Sequence, residues 1–412
     1  MLSVGLIGFG TVGTGVYERI EETRSTLESL LQQEISITKI LVSNREKERE
    51  LSIDKTLLTD NEEDFFKEEY DLVFEAIGGT IPAKDYVSSF LNRGIPVITA
   101  NKELVAKHGK ELEELANEHD TFLGYEATVA GGIPIVNALK ANLATSPIHK
   151  VLGILNGTTN YILTEMNEKG KGFEEALTEA QELGFAEADP TDDIEGFDSW
   201  YKIRILSRLC FGEWPEEYNV RRTGITKIEK WKVTIAEELG LTIKLIGEAK
   251  KINGTIKGSV APAFVTKNHS FSHIKSVSNA VQVVSEWFDN LSFTGPGAGK
   301  KPTANSMIED FVFHFHNKSS HLVKLQAPIQ NNNFDETRLL LFSNKDEEKP
   351  LKEKLQQFNH KIEQVYCNGE RLVWVITISE VELEGFQDTI PNCFPIFGDE
   401  EIVKLNKNIV SV

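Results

Sequence analysis

Residues 3–24 read SVGLIGFGTVGTGVYERIEETR, and the fold turns on how this stretch is parsed. SVGLIGF is a short apolar, partly β-branched run and predicts a strand. GVYERIEETR sets charges among apolar positions and predicts a helix. Between them stands Gly8-Phe9-Gly10-Thr11-Val12-Gly13, the spacing GxGxxG. Glycines there permit a tight turn, let the backbone approach a pyrophosphate and allow close helix–strand packing. The helix N-terminus adds the positive end of a dipole. Alone the pattern is weak, and a purely structural glycine turn reads the same way. Set between the first strand and first helix of a βαβ series, it points to a dinucleotide.

The series continues outward. ITKILVS (37–43), YDLVFEAIG (70–78), IPVITA (95–100) and TFLGYEA (121–127) read as further strands with helices between several of them. That alternation predicts an α/β fold opening on a Rossmann-type parallel sheet over 1–130. From 131 to 299 long helices (158–168, 172–183, 198–212, 228–239, 277–288) mix with strand-like KVLGIL and IKGSVAPAFV, a second, α+β domain. GPGAGKKPTANS (295–306) makes a glycine-rich loop before a helix from about Ser306, and 300–320 is expected to return to the first domain. QNNNFDE reads as a linker. A small α+β C-terminal domain follows over 335–412, with strand TRLLLFS, helix KPLKEKLQQF and strands IEQVYCN and RLVWVITIS.

Composition excludes some functions. A net charge of −19 argues against a nucleic-acid partner, since phosphate binding needs basic surface. Three scattered cysteines make neither a disulfide framework nor a zinc spacing, which fits a reducing compartment. The chain opens directly on a strand, with no signal segment in view. No apolar run approaches the ~20 residues of a membrane span. These features predict a cytoplasmic protein without a membrane partner. His314 and His316, with His321 beyond, fall two apart on an expected helix and point in different directions, so no metal is assigned to them.

The tip of the second strand, Val42-Ser43-Asn44-Arg45, carries no acid for a ribose 2′-hydroxyl, as NAD would need. Arg45 can pair with the 2′-phosphate of NADP; a surface arginine in a turn is the other reading. EAIGGT (75–80) and TANK (99–102) end later strands, at the carboxyl edge where ligands bind. Lys102 can there meet a cofactor or substrate oxygen, or be solvated.

EADPTDDIEGFDSW (187–200) packs six acids into twelve residues and then turns apolar, with Lys202 on the threshold. Asp198 and Lys202 fall at i and i+4, one turn apart on one face. On a surface such a pair contributes about 0.3–0.5 kcal/mol. Partly desolvated, the same pair sets a lysine in place for proton transfer. A second cation such as Lys102 would push its pKa down.

YEATVAGGIPIV (125–136), GILNGTTNYIL (153–163), GFAEADPTDDIEGFDSWYK (184–202) and GPGAGKKPTA (295–304) occur in order. Together they resemble homoserine dehydrogenase, over roughly residues 1–318. The resemblance implies interconversion of L-homoserine and L-aspartate 4-semialdehyde with NADP or NAD. It makes 131–299 a substrate and dimerisation domain, and the protein a homodimer. Lys202 falls on the family's acid/base lysine and Asp198 on the carboxylate a turn before it. Glu187 falls on the acid receiving the substrate's amino group, Asp193 on a second pocket carboxylate, and Lys102 between cofactor and substrate. Phe9, Thr11 and Val12 lie in the dinucleotide loop, and Gly297 of the GPGAG run returns to the cofactor. A monovalent cation, typically sodium, would sit among the Glu126 carboxylate and the carbonyls of Val129, Gly131 and Ile133, oxygen ligands suited to a hard ion. Glu126 bonding the glycine loop behind it is the other reading.

The chemistry agrees with the residue types. Oxidising a primary alcohol releases a hydroxyl proton, and a lysine can take and return it where an arginine could not. The acids can bind the substrate ammonium; backbone amides of NGTTN (156–160) or a lysine are candidates for its carboxylate. Trp200 and Tyr201 are bulkier than the family's usual residues, and Lys300-Lys301 stand where small residues are commoner. The tail resembles the ACT module through which threonine can inhibit longer members. SNKDEEKPLKEK (343–354) lacks the glycine of that module's ligand turn, so a structural or dimer-forming appendage is the alternative. A dehydrogenase of another amino-acid alcohol and a silent dinucleotide-binding regulator stand as rival functions.

Overall fold

A computed structural model describes residues 1–49, 51, 53–316 and 336–398. Linker residues 330–335, His321 and the ends 317–320 and 399–412 of the expected domains lie outside the described residues. Of the described residues, one compact unit takes 1–151, 201–216 and 280–316, and a second takes 152–200, 217–279 and 336–398.

The first unit is built on six parallel strands, β1 (Leu2–Ile7), β2 (Ile35–Leu41), β3 (Leu58–Thr59), β4 (Leu72–Glu75), β5 (Val97–Thr99) and β6 (Leu123–Gly124). Their order is β3-β2-β1-β4-β5-β6, the doubly wound arrangement whose switch point lies beside β1. The register pairs Ile7 with Leu41 on one side and with Glu75 on the other. Both edges of β1 therefore end level, just before the glycine loop. Four helices lie between strands: α1 (Thr11–Leu31), α2 (Glu62–Lys67), α3 (Ala83–Asn92) and α4 (Lys102–Glu118). A parallel sheet covered by helices buries both faces, which is why β4 is buried along its whole length, LVFE. Val16, Ile20, Leu27 and Leu31 of α1 share a core with β1, β2 and with Met307, Ile308 and Phe311 of a later helix, Lys300–His316.

That later helix begins at Lys300, not near Ser306 as expected. Pro302 falls in its first turn, where a proline's missing N–H removes no helical bond. Residues 277–288 were expected to be helical, and the structure makes Ser278–Ser285 a strand. Val281, Val283 and Val284 are stiff at χ1 and favour the pleated surface over a helix.

The second unit holds a long antiparallel hairpin, Leu241–Ile252 with Thr255–Thr266. It turns on Asn253-Gly254, both at positive φ (49° and 80°), as a two-residue type I′ turn demands. The C-terminal segment runs strand–helix–strand–strand–helix–strand: Glu336–Asn344, Glu348–Leu355, His360–Asn368, Arg371–Ser379, Leu383–Thr389 and Cys393–Phe397. The last helix and strand extend the expected β-α-β-β unit. The last strand lies beside the first, giving a ferredoxin-like sheet closed over Leu341, Trp374 and Phe386. Among the described residues no helix is long and apolar enough to cross a membrane.

Candidate active site

The glycine loop forms as its spacing requires. Gly8 sits at φ +93°, where a Cβ would press to 2.7 Å of the Ala76 carbonyl oxygen. Gly13 faces the Gly8 carbonyl so closely that a Cβ would overlap it, while among the described residues no atom beyond its chain neighbours lies within 4 Å of where a Gly10 Cβ would be. That open ground adjoins Thr11 and Val12, the first residues of α1. Gly10 caps α1 without a side-chain bond, and the first turn carries no acid. An uncompensated helix N-terminus beside open backbone fits a pyrophosphate. Phe9 stands edge-on to Tyr17 at 5.7 Å. At the tip of β2, the Arg45 guanidinium donates to the Lys55 carbonyl at 3.2 Å. Arg49 donates to the carbonyls of Asn44 (2.8 Å) and Lys47 (2.7 Å) and lies 6.0 Å over the Phe9 ring.

Two residues that the sequence did not single out organise the carboxyl ends of β4 and β5. Glu75 is fully buried; its carboxylate accepts the Ile77 N–H at 2.7 Å and the Thr99 hydroxyl. Burial raises its pKa to about 7, against the pull of those donors and of Asn101. Asn101 donates to the carbonyls of Ile77 (3.1 Å) and Gly79 (2.6 Å), and its oxygen caps α4 by accepting the Leu104 N–H at 3.0 Å. The half-buried Lys102 is the first residue of that helix, so this network sets its position.

The GPGAG run meets the segment after Glu126. Gly131, at φ +49°, packs on the Gly297 backbone, and Gly132 N–H donates to the Pro296 carbonyl at 3.0 Å. The run leads into helix Lys300–His316, which packs on α1 at Gly15. Lys300 is paired with Glu18 at 2.7 Å. The Glu126 carboxylate is buried and accepts the N–H groups of Val136 (2.9 Å) and Asn137 (2.6 Å). The Gly131 carbonyl accepts the Ser306 hydroxyl at 2.6 Å. Each of these oxygens keeps a lone pair, and the Asn137 Oδ1 beside them is buried with no hydrogen-bond partner among the described residues. Oxygen donors of this kind suit a hard monovalent ion. His314 stacks on Phe122 at 4.8 Å, and the His316 ring meets the Leu30 carbonyl at 3.2 Å.

Along the acidic stretch, burial rises toward the helix. Glu187, Asp189 and Asp192 are exposed, Asp193 and Glu195 half-buried, and Asp198 is 2% exposed. Asp189 accepts the Thr191 N–H (3.2 Å) and hydroxyl (2.6 Å), a local turn that lowers its pKa. The Glu195 carboxylate accepts the Thr226 hydroxyl at 3.0 Å. Helix Phe197–Phe211 carries Asp198 and Lys202 one turn apart, with Lys202 only 7% exposed. Trp200 and Tyr201 are both buried, and the Trp200 indole N–H donates to the Val220 carbonyl at 2.8 Å. The structure brings Asp193 and Asp198 together through Asn156, whose amide reaches both. Among the described residues the exposed Glu187 is not one of the acids that this amide joins; the Gln181 amide donates to its backbone carbonyl.

The chain is similar over most of its length to known proteins. A family model described as homoserine dehydrogenase matches residues 134–312, and one described as homoserine dehydrogenase, NAD binding domain, matches residues 8–126. The homoserine dehydrogenase of Lactococcus lactis subsp. lactis is 40% identical over 314 residues, 76% of this chain and 73% of its own. The crystal structure of a homoserine dehydrogenase from Thiobacillus denitrificans matches with TM-score 0.83 at 31% identity, over 96% of this chain and 98% of that one. A hyperthermophilic archaeal homoserine dehydrogenase in complex with NADPH matches with TM-score 0.66 at 25% identity, over 78% and 99%.

Proposed function

The chain belongs to the homoserine dehydrogenase family, and from that premise we propose which of its residues carry the reaction and how. The enzyme is an oxidoreductase of the CH–OH group that interconverts L-homoserine and L-aspartate 4-semialdehyde, in the biosynthesis of threonine and methionine. Its N-terminal domain binds a nicotinamide dinucleotide. When bound, the nicotinamide takes hydride from the alcohol carbon or returns it to the aldehyde.

Lys202 removes the proton from the homoserine hydroxyl, and in reduction gives it to the aldehyde oxygen. Asp198, one turn earlier, holds the Lys202 ammonium on its helix. The observation that carries this reading is the burial of both groups: a lysine and a carboxylate kept from water at i and i+4 are costly as ornament. Asp193 and Glu187 accept the substrate ammonium, and Lys102 orients oxygen atoms of substrate and cofactor. Gly8, Phe9, Gly10, Thr11, Val12 and Gly13 cradle the pyrophosphate, with Gly297 closing on the cofactor from later in the chain. Arg45 meets a 2′-phosphate, which favours NADP over NAD.

The proposal extends to organisation. The chain divides into a nucleotide domain over 1–130 with 300–320 returning to it, a substrate and dimerisation domain over 131–299, and an ACT-like domain over 335–412. It works as a cytoplasmic homodimer. Glu126, Val129, Gly131 and Ile133 hold a sodium ion; a melting temperature that is equal in sodium and choline chloride would remove this assignment. The activity itself is tested by following NADPH and NADH absorbance with L-aspartate 4-semialdehyde and a panel of other amino-acid semialdehydes. Turnover is expected with the first substrate and NADPH; faster turnover with another semialdehyde would overturn the assigned substrate roles.

A further inference from the structure

Asn156 is the N-cap of helix Gly157–Lys169. Its backbone is extended (φ −128°, ψ 122°), and its side-chain Oδ1 accepts the Thr159 N–H at 2.8 Å. An amide has one acceptor end and one donor end, so the helix N–H decides which end faces where. The donor end then turns both its hydrogens to carboxylates: Asp193 Oδ1 at 2.6 Å and Asp198 Oδ2 at 2.9 Å. Capping alone asks only for an oxygen, which serine or aspartate supplies as well. Asparagine caps and also donates twice to anions. It is 6% exposed, so the two carboxylates converge on one buried nitrogen, where their mutual repulsion needs a shared donor.

The helix end that carries Asn156 is itself fixed. One turn on, the Asn160 amide donates to the carbonyls of Ile274 (3.2 Å), Ser276 (2.9 Å) and Ser278 (3.1 Å), and its oxygen accepts the buried Lys244 ammonium at 2.9 Å. The cap therefore hangs on a braced turn, and the spacing it imposes on the two acids is held.

We propose that Asn156 is a positioning residue of the dehydrogenase. By bridging Asp193 and Asp198, it fixes the distance between the carboxylate that receives the substrate ammonium and the one that orients Lys202. The inference rests on those two roles. It adds that the acids act as a spaced pair rather than as independent groups.

The test compares Asn156→Ser and Asn156→Asp with the native enzyme and with Lys202→Ala, by steady-state kinetics, NADPH binding and thermal melting. Both Asn156 variants keep the cap oxygen, but only Asn156→Ser adds no charge, so its melting temperature is the one that should stay within a few degrees, and the structural control is read on that variant. Asn156→Ser should lower kcat/KM for homoserine about tenfold or more, the loss expected when hydrogen bonds to charged groups are removed, with the NADPH Kd within twofold. Asn156→Asp should fall further, because it adds a third carboxylate to the pair. Native kinetics in either Asn156 variant, with Lys202→Ala inactive, would overturn the inference and leave the acid/base assignment standing. A parallel loss of homoserine affinity, NADPH affinity and melting temperature would also overturn it, as a general structural effect. An active Lys202→Ala would instead bring down the assignment on which the inference rests, and the inference with it.

Discussion

The Asp310 carboxylate accepts the backbone N–H of Glu126 at 2.8 Å, across 184 residues of sequence. Its other oxygen accepts the Asn137 amide at 2.9 Å. Asp310 is fully buried, so helix Lys300–His316 and the turn at 126 share one polar joint. Asp310→Ala would strand the buried Glu126 N–H and the half-buried Asn137 amide and should destabilise the protein by about 2 kcal/mol in urea unfolding. Asp310→Asn, which keeps one acceptor oxygen, should lose roughly half as much. An unchanged urea midpoint for the alanine variant would mean the joint is not part of the cooperative unit.

Glu75 predicts a pH effect whose sign is set by burial. Its pKa is raised from 4.5 to about 7, first by desolvation. Between those values the folded state binds the proton more tightly than the unfolded chain does. The stability it contributes is therefore full below about pH 4.5 and is lost as pH rises through about 7. Glu75→Gln cannot titrate. The stability of the native protein relative to this variant should fall by about 3 kcal/mol between pH 4 and pH 8. Parallel stability curves for the two proteins would show that the carboxyl group titrates normally.

How much of this was legible in the sequence depends on how local the signal is. The strand, glycine loop and α1 could be read from residues 3–24 because the whole device is contiguous, and its steric demands fall on Gly8 and Gly13, with Gly10 left open between them. The hairpin at Asn253-Gly254 carries an equally local turn signal between 241 and 266, although the adjacent Lys250-Lys251 interrupts the alternation beside it. Valine-rich 278–285 matched a helical spacing, and only β-branching argued otherwise. Glu75, Asn101, Asn156 and Asp310 are a different case. Each acts through a partner distant in the chain, and no spacing reveals that Thr99 lies beside Glu75 or Asp198 beside Asn156. A trace was present: Asn101 and Asn156 each stand one residue before a helix, the position where asparagine caps.

Lys202 separates proton transfer from charge. Lys202→Ala should lower kcat roughly 10²- to 10⁴-fold, the usual contribution of a positioned acid/base group, while the NADPH Kd stays within twofold. Lys202→Arg restores the positive charge beside Asp198 but cannot release a proton, so it should rescue little of the rate. Substantial turnover by the arginine variant would assign Lys202 an electrostatic role and move the proton elsewhere.

Arg45 provides the test of the proposed preference for NADP. It lies exposed at the tip of β2, where the sequence Val42-Ser43-Asn44 offers no carboxylate to a ribose diol. Its guanidinium holds one carbonyl, that of Lys55, and keeps donors for a phosphate. Arg49 braces the same turn from the carbonyls of Asn44 and Lys47. A charge-assisted bond to a 2′-phosphate is worth about 1.5–3 kcal/mol. Arg45→Ala should therefore raise KM for NADPH between about tenfold and a hundredfold and leave KM for NADH nearly unchanged. The contrast between cofactors is the informative quantity, because a variant that merely loosens the turn would weaken both alike. Equal effects on NADPH and NADH would reduce Arg45 to a residue of the turn and return the preference for NADP to an open choice.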